Sequence, residues 1–108
     1  MILQRRFSDQ ELEQIIEEAT IYMCACPGQV AVQLRTLREL FRYQGKCEIE
    51  PGNDVAVHQA IAAATIKAYA VMEDCLDQVL ELEGWDRATL QMPEGLRRKR
   101  AEMLDRDD

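Results

Sequence analysis

Cys24-Ala25-Cys26-Pro27-Gly28-Gln29 is the stretch where one helical pattern stops and the next begins. The residue before a proline is pushed out of the α region, and proline itself suits the first position of a helix. Pro27 therefore predicts one helix ending near Ala25 and another starting at Pro27. Cys26 becomes the N-cap and Gln29 takes the place of a capping-box glutamine. A chain that turns here sets two helices side by side, so the fold class depends on the patterns on either side.

Upstream, Ser8-Asp9-Gln10-Glu11 reads as a capping box, with Phe7 and Leu12 at the two positions of a hydrophobic staple. Leu12, Ile15, Ile16, Ala19, Tyr22 and Met23 recur at helical spacing, while Glu13, Glu17 and Glu18 fall on the other face. Downstream, Val30, Leu34, Leu37, Leu40 and Phe41 form the core stripe of a second helix, and Gly45 is a suitable C′ residue that closes it near Gln44. Pro51-Gly52 signals a turn, and Asn53 or Asp54 caps a third helix that runs to about Glu83, with Gly84 as its stop. Its apolar residues cover a wide face, and Ala60 and Ala64 allow a neighbour to approach closely. At 1.5 Å per residue it is roughly 45 Å long, so something must cover its second half.

The C-terminal segment is the candidate cover. Asp86 caps a short helix with Trp85 stapled to Leu90, Pro93 interrupts it, and a last helix runs from about Glu94 to Asp105. No strand pattern, internal repeat or low-complexity segment is visible. The expected architecture is all-α: an antiparallel bundle of three main helices plus a shorter C-terminal helical segment. It forms a single domain over 1–108, with residues 1–7 and 105–108 as flexible ends.

Composition limits the function. The chain has 108 residues, 47% of them hydrophobic and 31% charged, as in an ordinary folded domain. A net charge of −7 opposes a general nucleic-acid role, which needs a basic surface. The start has charge but no apolar run after it, unlike a signal peptide. Val55–Met72, which holds His58, Gln59 and Lys67, reads as a buried helix too polar to span a bilayer. A cytoplasmic location follows, with the four cysteines as reduced thiols.

Chemistry, if present, concentrates at Cys26, since a thiol at a helix N-terminus faces unbonded amides and the positive end of the dipole. Cys24 and Cys26, on a non-helical turn, are also able to share a soft metal such as zinc or copper, with Cys47, Cys75 or His58 completing the set. Burial as small hydrophobes competes with both readings. A ferritin-like di-metal site is ruled out, because one histidine does not supply two Glu-x-x-His elements. Phosphate-loop, dinucleotide, G-x-S-x-G and H-E-x-x-H motifs are lacking. Glu73, Asp74, Asp77 and Glu81 suit a solvated acidic face.

Arg35, Arg38 and Arg42 form a basic stripe on the second helix, and Arg97, Arg98, Lys99 and Arg100 a basic block near the end. They either pair within the bundle or define faces for a partner. The sequence thus points to a small non-enzymatic interaction or regulatory protein without a cofactor, partnered by another protein or by itself as a homodimer through the third helix. A cysteine-based metal or redox protein is the alternative.

Overall fold

A computed structural model describes residues 1–21, 26–50, 52 and 54–107, with the side chains of 99, 100 and 103–107 outside that description. The described residues are mostly helical and contain no strand. Four helices follow one another, α1 (Asp9–Ile21), α2 (Cys26–Glu48), α3 (Val55–Leu82) and α4 (Glu94–Asp107). The molecule is elongated, 57 × 28 × 19 Å.

The capping box at the start of α1 forms as the sequence predicts. Ser8 Oγ accepts from the Glu11 amide at 3.0 Å, and Glu11 Oε1 accepts from the Ser8 amide at 2.9 Å. Phe7 and Leu12, the staple pair, are both buried. The expected extension of α1 to Ala25, with Tyr22 and Met23 on its stripe, falls on residues 22–25, outside the described residues.

Two expectations about α2 are corrected. Cys26 is its first helical residue rather than a cap outside it, and Pro27 is buried just inside the helix. Its far end does not stop at Gln44: α2 runs on through Gly45 to Glu48. Gly45 keeps a negative φ, so the left-handed C′ geometry is not used there. The cost of an interior glycine, about 1 kcal/mol, is offset by contacts with the start of α3. Buried Gln44 meets His58, with Oε1 and Nδ1 2.6 Å apart, and Gln59 Nε2 donates to Glu48 Oε1 at 3.1 Å.

Asp54 caps α3 by accepting from the Ala56 amide at 3.0 Å. The other predicted cap, Asn53, is outside the described residues, as is Pro51 of the predicted turn. At the far end, Gly84, at φ 76°, closes a Schellman motif. The Trp85 amide donates to the Leu80 carbonyl at 2.9 Å and the Gly84 amide to Glu81 at 3.0 Å. Leu80 and Trp85, the apolar pair such a motif brings together, are both buried.

The segment after Trp85 is a closed loop, not the predicted short helix. The Asp86 amide donates to the Gln91 carbonyl at 3.0 Å, and Asp86 Oδ1 accepts from the Ala88 and Thr89 amides at 2.8 and 3.1 Å. Leu90 turns the chain at φ 56° and is buried. Asp86 is thus the predicted cap, but of a turn.

Helix α2 packs against both α1 and α3. The core joins Phe7, Leu12, Ile15 and Ala19 to Ala31 and Leu34 of α2, to Tyr69, Leu76 and Leu80 of α3, and to Trp85, Leu90 and Met92 of the loop. The loop therefore covers the second half of α3, as anticipated for the C-terminal segment. Part of residues 1–7, expected as a loose end, is packed, while Met1 and Ile2 are exposed. Phe7 is buried, Leu3 packs on the core, and the Arg6 amide donates to Glu73 Oε2 at 2.9 Å.

Candidate interaction face

In α3, no core-cluster residue precedes Tyr69. Ahead of it, α3 packs on the last turns of α2 as a two-helix arm. The inner row of α3, Ala62, Thr65, Tyr69, Glu73, Leu76 and Leu80, is buried. On the outer side Val57, Val71 and Leu82 are 50%, 65% and 77% exposed, and Ala56, Ala60, Ala64 and Ala68 are exposed with them. The reading of Val55–Met72 as a buried helix is therefore corrected: α1 starts at Asp9, level with Arg38, and runs away from the arm toward Gly28, so it leaves the arm uncovered. By length and composition alone Val55–Glu83 is also long and apolar enough to cross a membrane, with 17% of its most apolar window buried. That corrects the expectation of too polar a run.

The inner side of α3 is tied down by polar bonds. Arg38 is 4% exposed. It donates from Nε and Nη2 to the Tyr69 hydroxyl, at 2.9 and 2.6 Å, and also to the Phe7 carbonyl and to Asp9. The Arg38 hydrogen bond holds the Asp9 carboxyl below the usual range, and burial pushes the Tyr69 phenol up against the opposing effect of Arg38. Glu73, 2% exposed, accepts from the Arg6 amide and lies 3.5 Å from Arg6 Nε. Hydrogen bonds to Asp74 and Asp77 raise the Arg6 guanidinium further. Arg87 joins this acidic flank, 2.9 Å from Asp77, with its guanidinium carbon 4.4 Å from the Phe7 ring centroid.

The predicted basic stripe is broken as a result. Arg38 faces inward, Arg42 pairs with Glu39, and Arg35 lines an open groove with Asp9 and Glu13. In the C-terminal block Arg97 Nε lies 3.6 Å from Glu18 and Arg98 lies 3.6 Å from Glu94. The Lys99 and Arg100 side chains are outside the described residues.

The suggested metal ligands do not converge. Cys24 is outside the described residues. Cys26 is exposed at the start of α2, and Cys47 is half-buried in its last turn, roughly 30 Å further along at 1.5 Å per residue. Cys75 and His58 lie far apart on α3. Among the described residues no three His, Cys, Asp or Glu side chains form a group able to hold a metal. Cys47 instead hydrogen bonds with Tyr43, one turn earlier, and pushes that phenol up.

Comparison with protein-family models, with curated proteins and with solved structures found no match.

Proposed function

We propose that the chain is a small non-enzymatic interaction protein, a single helical domain that works through the uncovered outer face of α3. The observation that carries this is the exposure of Val57, Val71 and Leu82 along one helix, since soluble monomers rarely leave long apolar faces open. The finer architecture is an antiparallel bundle of α1, α2 and α3. Gly28 near the start of α2 lies against Ala19 near the end of α1, Arg38 meets Asp9 at the start of α1, and Gln44 meets His58 at the start of α3. Its inner bonds to Arg38, Gln44 and Arg6 favour α3 as a helix of this bundle over a bilayer span. A cytoplasmic location and reduced thiols accompany the reading.

The test is Val71→Glu. Association with a protein partner, this chain included, should be lost while circular dichroism and melting stay unchanged. Unchanged association overturns the reading. Loss of binding to phosphatidylcholine vesicles with no protein–protein association also overturns it. A cysteine-centred metal or redox role is the second reading, favoured by the exposure of Cys26 in the first turn of α2. Zinc or copper in protein purified without a histidine tag, lost on Cys26→Ser, would establish it.

A further inference from the structure

On the outer flank of α3, Val57, Ile61, Ala64, Ala68, Val71, Cys75, Gln78 and Leu82 follow one another at alternating intervals of four and three residues. That is the spacing of a coiled-coil seam, sustained over roughly 38 Å of helix at 1.5 Å per residue. Each of the eight is exposed or half-buried, and Gln78 is the one strongly polar position. By helix geometry the seam lies about 120° around α3 from the inner row that packs on α2, so a further helix fits beside α3 without displacing α2. Arg6 docks on the far side of α3, against Glu73 and Asp77, and reaches round to Asp74 at the seam's solvent border.

We propose that this seam is occupied by α3 of a second copy of the chain, running antiparallel. This rests on the interaction reading above and names its partner. Charge, together with full overlap of the two seams, decides direction and register. The residues bordering the seam on its solvent side are Ala60, Lys67, Asp74 and Glu81. In an antiparallel pair these positions face their own kind across the seam. With Ala68 opposite Val71 of the second copy, and Ala64 opposite Cys75, Lys67 faces Asp74 of the second copy, and the two-fold axis makes that pair twice. Slipping one heptad one way sets Lys67 against Lys67; the other way keeps two Lys67–Glu81 pairs but adds Asp74 against Asp74 and leaves a heptad of each seam uncovered. A parallel pair in register borders Lys67 with Met72 and provides no ion pair. Lys67 has no carboxylate three or four residues away on its own helix, where Ala63, Ala64, Ala70 and Val71 stand. Asp74 is 67% exposed and already holds Arg6, leaving acceptor sites for a second cation.

A strip about 38 Å long under a helix about 10 Å wide covers about 800 Å² over both partners, below the ~1,200 Å² of stable interfaces. The dimer is accordingly a weak and reversible one.

Sedimentation equilibrium of the full chain from about 1 to about 500 µM spans such an affinity. The average mass should climb from monomer toward dimer. Lys67→Glu should weaken the dimer about tenfold, two exposed pairs being reversed, and Lys67→Glu with Asp74→Lys should restore it to within about threefold. Register is read by mild oxidation in a Cys24→Ser, Cys26→Ser, Cys47→Ser background. Ala64→Cys should link to Cys75 of the second copy, and without Ala64→Cys no dimer band should form. A monomer mass at the highest concentration overturns the proposal, as does a Cys75–Cys75 link. If the monomer nonetheless binds another protein and Val71→Glu abolishes that binding, self-pairing fails while the interaction reading stands.

Discussion

The Arg38 guanidinium reaches the Tyr69 hydroxyl with two of its nitrogens, Nε at 2.9 Å and Nη2 at 2.6 Å. From the same position it holds the Phe7 carbonyl and Asp9. One side chain of α2 thereby joins the start of α1 to the middle of α3.

Arg38→Ala is expected to destabilise the fold by about 2–4 kcal/mol, because two buried acceptors lose their donor at ~1–3 kcal/mol each. Arg38→Lys should recover only part of this, since a single ammonium does not reproduce a planar fork. Urea unfolding of both variants checks the order wild type, Lys, Ala.

The same cluster predicts pH dependence at both extremes. The Asp9 carboxyl is held below its ordinary 3.8, so its contribution is complete above that pH and disappears as pH falls through the folded value. The Tyr69 phenol is raised above 10.0, so its contribution is complete below that pH and disappears as pH rises toward the folded value. Urea midpoints measured against pH should therefore decline on both sides. Asp9→Asn should flatten the acid side and Tyr69→Phe the alkaline side.

Two glycine-to-alanine changes should have opposite signs. A Cβ at Gly28 would lie 2.8 Å from Ala19 Cβ and 3.7 Å from the Ile16 backbone, so Gly28→Ala forces α1 and α2 apart at a cost of about 1–3 kcal/mol. Gly45 has open space around its Cβ position inside a continuous helix, and Gly45→Ala should stabilise by about 0.5–1 kcal/mol. Thermal melts of the two variants, run side by side, test the contrast.

Trp85→Ala should cost about 3–5 kcal/mol, in the range of buried aromatic truncations. Trp85 also anchors the loop that covers the second half of α3, and its Nε1 donates to Glu83 Oε1 at 2.9 Å. Hydrogen exchange should show the amides of residues 76–92 opening before those of α1.

The helices were legible in the sequence because their signals are local: Ser8 with Glu11, Asp54 before Val55, Gly84 after Glu83. The errors arose where tertiary contacts override local preference. Gly45 looks like a stop until Gln44 and Glu48 are seen to bond with residues 58 and 59 of α3. Arg38 looks like the middle of a basic stripe until Phe7, Asp9 and Tyr69 are seen around it. Asp86 caps as expected, but Leu90, at positive φ, turns a predicted helix into a loop. The candidate face was present in the spacing Val57, Ile61, Ala64, Ala68, Val71, Cys75. It was hidden by the inner row Ala62, Thr65, Tyr69, Leu76, because the two rows merge into one broad apolar surface until burial separates them.

The strap from Arg6 to Glu73, Asp74 and Asp77 spans 67 to 71 residues of chain. On a ribosome Arg6 emerges long before those carboxylates, so until α3 follows Phe7 lacks part of its cover. The strap is then made first and docked last, and its closure reports that α3 is in place. Contacts of such sequence separation form late and slowly, so the lifetime of the half-closed chain is set by how soon α3 is made.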